Sequence, residues 1–123
     1  MIRPLVAFVA MAALSLSTAA YAQNADDGKA VFKQNCSICH DVVPDKNRIG
    51  PSLFGIVGRK TGSEAGFHYS AANKAANITW DPAILDKYLI SPREVIPGTT
   101  MPFAGLKDEQ KRKDLVAYLA TLH

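Results

Sequence analysis

The chain has 123 residues, of which 48% are hydrophobic and 20% are charged, and its formal net charge is +3. This length holds one small domain, and the near balance of charge, without a basic stripe among aromatic residues, argues against a nucleic-acid-binding function. Its two cysteines, Cys36 and Cys39, are three positions apart and are therefore the first candidate functional residues.

The first segment is predicted to be a secretory leader. Arg3 gives it a positive start, residues 4–16 form an apolar run, and Ala20-Tyr21-Ala22 offers a small-x-small cleavage site. The apolar run is too short for a spanning helix. We therefore expect residues 1–22 to be removed and residues 23–123 to form a single periplasmic domain with no stable membrane insertion. An uncleaved N-terminal anchor is the alternative.

A helix is predicted at the start of the mature chain. Asp26 and Asp27 precede a run of helix-compatible residues, and acidic side chains in a first turn are favoured by the helix dipole. We expect this helix to run into Cys36. The cysteine pair then lies on the turn that follows it.

The pentapeptide Cys36-Ser37-Ile38-Cys39-His40 forms a C-x-x-C-H motif, the signature of covalent c-type haem attachment. On one turn both cysteines can bond vinyl-derived carbons of the porphyrin, while His40 reaches the iron. A redox disulfide is one alternative, but it expects a βαβ context and a low-pKa thiolate. A zinc site is another, but it needs a second ligand pair, and His68 and His123 are too far apart. The motif predicts one haem.

The rest of the chain predicts helices separated by long connections. Residues 41–66 are rich in Gly and Pro and lack periodicity, so we expect a loop that wraps around the haem. A short helix follows at 70–76. Asp81-Pro82 matches an N-cap with proline at the first helical position, and that helix stops before Pro92. A final helix begins near Asp108 and runs to the C-terminus.

Met101 is the predicted second iron ligand. It is the only methionine of residues 23–123 and lies in a segment that Pro97, Gly98 and Pro102 prevent from forming a regular helix. A thioether ligand stabilises the reduced iron. The alternatives are that Met101 fills the core, or that a histidine binds instead. His68 is expected in a polar loop and His123 at a frayed end.

In order and spacing, these features resemble class I c-type cytochromes, in the group of mitochondrial cytochrome c and bacterial cytochrome c2. The resemblance spans essentially the whole mature sequence. It includes the C-x-x-C-H motif, Gly50-Pro51-Ser52-Leu53-Phe54-Gly55-Ile56-Val57-Gly58-Arg59-Lys60, Gly66-Phe67-His68-Tyr69-Ser70, Ile78-Thr79-Trp80 and Ile96-Pro97-Gly98-Thr99 before Met101. It implies an all-α, single-domain cytochrome c fold with four or five helices and long loops around one covalent haem c.

The resemblance also implies residue roles around the iron. Cys36 and Cys39 would carry the thioether bonds, and His40 and Met101 would be the axial ligands. Pro51 resembles the proline whose carbonyl accepts the proximal histidine N–H, and Tyr88 resembles the tyrosine whose hydroxyl lies near the methionine sulfur. Gly28 and Phe32 look like first-helix positions that pack against Leu115 and Tyr118.

A second group of roles concerns the haem periphery. Tyr69 and Trp80 match the pair that hydrogen-bonds a buried propionate, and Arg59 matches the guanidinium that offsets its charge. Asn73 and Thr99 resemble members of a polar network around a buried water. Phe103 resembles the aromatic residue that covers the exposed haem edge. Each of these side chains could instead serve only the core or a turn.

The function implied by the resemblance is that of a monomeric one-electron carrier rather than an enzyme. Its redox partners would be a membrane donor (a bc1-type complex or a dehydrogenase) and a terminal oxidase, photosynthetic reaction centre or periplasmic reductase. The competing class is a haem enzyme or gas-binding protein with an open sixth iron site. Cytochrome c′-type chains place C-x-x-C-H near the C-terminus, unlike this chain. A carrier dedicated to one dehydrogenase is a third alternative.

A chain this short has a modest core, and burial of a porphyrin adds on the order of 10 kcal/mol of apolar stabilisation before costs. We therefore expect the haem-free protein to be largely unfolded. The measurement is its amide NMR spectrum, with the haem-loaded protein as the reference. A well-dispersed spectrum from the haem-free chain would contradict this expectation.

Overall fold

Five helices and the loops between them make up residues 22–123, the part of the chain that the computed structural model describes. They are α1 (Ala25–Asn35), α2 (Ala71–Ala75), α3 (Pro82–Ile90), α4 (Pro92–Val95) and α5 (Glu109–Leu119). These residues contain one isolated antiparallel β-bridge, between Lys60 and Thr79. The all-α prediction is therefore confirmed. The predicted leader, residues 1–22, lies outside the described residues except for Ala22.

Polar side chains fix where the helices begin. Side-chain oxygens accept backbone N–H groups of the first turn at the starts of α1, α2, α3 and α5, and the four caps are Asn24, Ser70, Asp81 and Asp108. The Asp81 carboxylate, for example, accepts from the Ile84 amide at 2.8 Å. These bonds satisfy N–H groups that have no partner within the helix. The cap at Asp81 agrees with the sequence prediction, as does the start of the last helix near Asp108.

Two helix ends differ from the sequence prediction. Pro92 was expected only to end the preceding helix, but it also occupies the first turn of the short helix α4. Proline is tolerated there because a first-turn residue needs no N–H partner. In addition, α5 ends at Leu119 rather than at the C-terminus, and its last carbonyls are satisfied by a turn around Ala120 and Thr121.

The first and last helices, α1 and α5, pack directly on each other, and α5 also packs on α3. A methyl group on Gly28 would lie 2.5 Å from the Asp114 carbonyl carbon and 2.9 Å from Tyr118 Cβ, so only glycine allows this approach. The rings of Phe32 and Tyr118 pack with their centroids 5.7 Å apart. Leu115 of α5 is fully buried. The predicted packing of Gly28 and Phe32 is thus confirmed.

No helix within residues 22–123 combines the length and the apolar character that a bilayer crossing requires.

The contact at Gly28 predicts a reversal of the usual effect of glycine in a helix. Alanine normally stabilises a helix by about 1 kcal/mol relative to glycine. Here the added methyl group would overlap the α5 backbone, so we expect Gly28→Ala to destabilise the haem-loaded protein by about 1–3 kcal/mol. Denaturant unfolding measures this difference. The control is Gln34→Ala at an exposed α1 position, expected to change stability by less than about 0.5 kcal/mol. A Gly28→Ala variant at least as stable as the parent would contradict the prediction.

Candidate haem site

An apolar cavity of about 340 Å³ lies between the helices and the loops. Its apolar walls include Ile56, Leu85, Leu89 and Leu115, all buried core residues. Every site residue predicted from the sequence also lines it: Cys36, Cys39, His40, Pro51, Arg59, Tyr69, Asn73, Trp80, Tyr88, Thr99, Met101 and Phe103. The fold therefore brings all of the predicted site residues around one space.

The C-x-x-C-H segment forms a turn directly after α1. The Cys36 amide donates to the Phe32 carbonyl at 2.8 Å, and the amides of Cys39 and His40 both donate back to the Cys36 carbonyl. This turn places both thiols and the imidazole on the cavity wall. Burial, and then the neighbouring Cys39, raise the pKa of the Cys36 thiol to about 11. Because a redox dithiol requires a lowered thiol pKa, this environment does not favour disulfide exchange.

His40 is held in one orientation by the loop that follows the motif. Its Nδ1 lies 2.7 Å from the Pro51 carbonyl oxygen. Since a carbonyl can only accept, Nδ1 carries the proton and Nε2 is left as the atom able to bind a metal. Burial is the main cause of a lowered His40 pKa. The hydrogen bond to Pro51 opposes this shift, and the charges of Arg48 and Arg59 add to it. The neutral imidazole, which is the ligand form, is thereby favoured.

Gly50 supports the same ring and was not singled out as a site residue by the sequence. A Cβ atom at this position would lie 2.6 Å from His40 Nδ1 and 2.8 Å from His40 Nε2. The sequence showed Gly50 only as one of several glycines in a long loop. Nothing in its spacing indicated that a ring would pack against its α-carbon.

Met101 lies on the same cavity and is also held by a hydrogen bond. The Tyr88 hydroxyl is 3.6 Å from Met101 Sδ and can donate to it. Burial raises the pKa of Tyr88, so the phenol keeps the proton that it donates. The Thr99 hydroxyl accepts from the Met101 amide at 3.3 Å, and the Tyr88 ring packs against Trp80 with centroids 4.8 Å apart. The thioether therefore has a fixed position.

The two other histidines of the chain are placed differently. His68 is exposed and does not contribute to the cavity lining. His123 is exposed as well, with its ring Nδ1 3.2 Å from the Ala120 carbonyl oxygen. Neither is positioned to compete with Met101 as a ligand inside the cavity.

Polar groups gather at one end of the otherwise apolar cavity. Arg59 donates from Nη1 to the Ser52 carbonyl at 2.7 Å and from Nη2 to the Phe54 carbonyl. The Tyr69 hydroxyl accepts from the Glu64 amide, and burial raises the Tyr69 pKa. These groups offer positive charge and hydrogen-bonding capacity to an acidic substituent.

Asn73 carries the one buried side-chain oxygen without a hydrogen-bond partner among the described residues. Buried polar atoms of native proteins almost always have a partner, so an unmatched Asn73 Oδ1 in a cavity wall indicates that a further group completes the site. A donor such as a water molecule would satisfy this atom. The expected network around Asn73 and Thr99 is consistent with this observation.

These features fit haem c. Two thiols and an imidazole on one turn, a thioether on the same cavity, apolar walls and a polar end match an apolar macrocycle with acidic substituents and an iron at its centre. Cys36 and Cys39 would hold the porphyrin, and His40 and Met101 would ligate the iron.

Comparisons with known proteins agree with this geometry. Residues 25–123 match the sequence profile of the cytochrome c family. The chain is 52% identical to cytochrome c2 of Rhodomicrobium vannielii over 114 residues, covering 91% of this chain and 90% of that protein. It is 48% identical to cytochrome c2 of Blastochloris viridis over 118 residues, covering 95% and 91% of the two chains. The structure of cytochrome cH from Methylobacterium extorquens superimposes with a TM-score of 0.75 at 40% identity, covering 80% of this chain and 98% of that one.

The contact between Gly50 and His40 predicts a specific defect. We expect Gly50→Ala to displace the imidazole, so that the haem-loaded protein loses part of its low-spin absorption spectrum. The control is Gly55→Ala, because a Cβ there meets nothing within 4 Å, although the positive φ of 71° costs stability. The control should therefore unfold more easily yet keep the parental spectrum. Identical visible spectra for both variants would contradict the assigned role of Gly50.

Proposed function

Because the chain belongs to the cytochrome c family, as a class I c-type cytochrome close to cytochrome c2, we propose that it is a periplasmic one-electron carrier. The family holds haem c through a C-x-x-C-H motif, which in this chain is Cys36–His40. The proposed axial ligands are His40 and Met101. The observation that carries the proposal is that these two side chains line one cavity, each with its own hydrogen-bond partner.

The protein's part in electron transfer is to hold the ligands still. When bound, the haem supplies the reversible gain and loss of one electron at its iron. The Pro51 carbonyl fixes the imidazole of His40 and makes it more basic, and the Tyr88 hydroxyl fixes the sulfur of Met101. With both ligands bound, the iron would have no open position for a substrate, which favours a carrier over an enzyme. The apolar walls exclude water and keep reorganisation small.

The rim of the cavity is the proposed place of electron entry and exit. Ile38 and Ile49 both line the cavity while remaining 73% and 70% exposed, so the cavity reaches the surface beside them. Phe103, half-buried on the same cavity, is proposed to cover the haem edge. The proposed partners are a membrane donor, either a bc1-type complex or a dehydrogenase, and an oxidase, reaction centre or reductase. The carrier is proposed to act as a monomer.

The test of the ligand assignment is the visible spectrum of the haem-loaded protein. We expect the oxidised protein to show the weak far-red band of a sulfur–iron bond and the reduced protein to bind no carbon monoxide. Met101→Leu removes the sulfur while keeping an apolar side chain of similar size. This variant should therefore lose the far-red band and bind carbon monoxide rapidly.

The matched control is His68→Gln, which removes the alternative nitrogen ligand from an exposed position. It should leave both the far-red band and the lack of carbon monoxide binding unchanged. If the parent protein itself lacks the band and binds carbon monoxide, the iron has an open sixth position. A gas-binding protein or haem enzyme would then be the better description.

A further inference from the structure

An ion pair shielded from water lies behind the polar end of the cavity. Arg59 Nη2 is 3.2 Å from Glu64 Oε2, and the two side chains are only 10% and 14% exposed. The pair between Glu109 and Lys113 on α5 is far more open, with exposures of 69% and 35%. Charges with little access to water are screened less, so their effects extend further. The function proposed above assigns no role to Glu64.

Arg59 connects Glu64 to the cavity, because it contacts the one and lines the other. Arg59 lines the cavity, whereas Glu64 does not. Nη2 contacts both Phe54 and Glu64, and Nη1 donates to Ser52, so further N–H groups on Nη1 and Nε remain for a group bound in the cavity that Arg59 lines. Glu64 therefore influences a group bound in the cavity through the charge of Arg59 rather than by contact.

The backbone around Glu64 is fixed, so its carboxylate has little freedom to move away from Arg59. The Glu64 amide donates to the Tyr69 hydroxyl at 3.1 Å. The next residue, Ala65, accepts from the Asn47 side-chain amide at 2.9 Å. These two bonds tie the segment to Tyr69 and to the loop that contains Asn47.

We propose that Glu64 lowers the reduction potential of the bound haem by neutralising the charge of Arg59 that would otherwise offset a buried propionate. This inference rests on the proposed function. With haem bound, the guanidinium would face the Glu64 carboxylate as well as a propionate, and a negative charge would remain uncompensated near the site. Negative charge stabilises the more positive, oxidised iron. Glu64 is thus a positioning and tuning residue that sets the potential through Arg59.

The experiment is a spectroelectrochemical titration of the haem-loaded Glu64→Gln variant. Glutamine keeps the size of the side chain and removes its charge. We expect the ratio of reduced to oxidised protein at a fixed ambient potential to rise about threefold. This corresponds to a midpoint shift of about 30 mV, because a tenfold change in a one-electron equilibrium equals about 59 mV. Glu64→Ala, a second neutral variant, should shift the ratio in the same direction.

There are two controls. One keeps the negative charge at position 64, and the other removes a negative charge from an exposed ion pair elsewhere in the chain. Glu64→Asp keeps the carboxylate and should stay closer to the parent than Glu64→Gln does. Glu109→Gln makes the same chemical change in the exposed pair on α5 and should leave the ratio unchanged.

The opposite results would overturn the inference. If Glu64 only anchors Arg59, its removal loosens the guanidinium, and the ratio falls or stays constant while stability drops. An unchanged ratio in variants that keep the far-red sulfur–iron band would refute the role of Glu64 alone. Absence of that band from the parent protein would instead refute the proposed function, and this inference with it.

Discussion

The close approach of α1 to α5 at Gly28 is the contact on which the site depends. The helix α1 leads without a break into the turn that carries Cys36, Cys39 and His40, so the position of α1 sets the position of the motif. The helix α5 contributes Asp114 and Tyr118 to the helix contact and Leu115 to the cavity wall. A wider separation of the two helices would therefore move the attachment turn away from the wall that it faces. A missing side chain at Gly28 is what keeps this distance short.

Hydrogen bonds made by the loops fix the parts of the cavity that the helices do not hold. Two amide bonds between neighbouring loops, from Gly58 to the Trp80 carbonyl and from Trp80 to the Arg59 carbonyl, fasten the polar end of the cavity. The side chains proposed as ligands are fixed in the same manner. Pro51 lies 11 positions after His40, and Tyr88 lies 13 positions before Met101. The long loops are thus ordered by specific partners, even though they lack regular secondary structure. Rigid ligands would suit the proposed carrier, because they would keep the reorganisation on electron transfer small.

Much of the fold was predictable because its signals are local. The caps at Asp81 and Asp108 and the C-x-x-C-H motif each act within a few residues, and the family resemblance ordered the remaining pieces. The separate helix α4 was missed because Pro92 can either end a helix or begin one, and the sequence alone did not distinguish these uses. The contacts of Gly50 with His40 and of Glu64 with Arg59 were also missed. They join loops whose relative placement only the folded chain defines.

The bond between the Asn24 amide and the Asp114 carboxylate joins positions 90 residues apart, at the start of α1 and within α5. An isolated helix of 11 residues, the length of α1, is marginal in water. The helix that is synthesised first is therefore completed by a segment that is synthesised much later. In a chain whose helices have not yet met, the environment that buries Cys36 is missing, and both thiols remain open to water. Both cysteines are thus accessible to covalent chemistry while the two helices are still apart, and we expect the helices to meet around the haem that the cysteines hold.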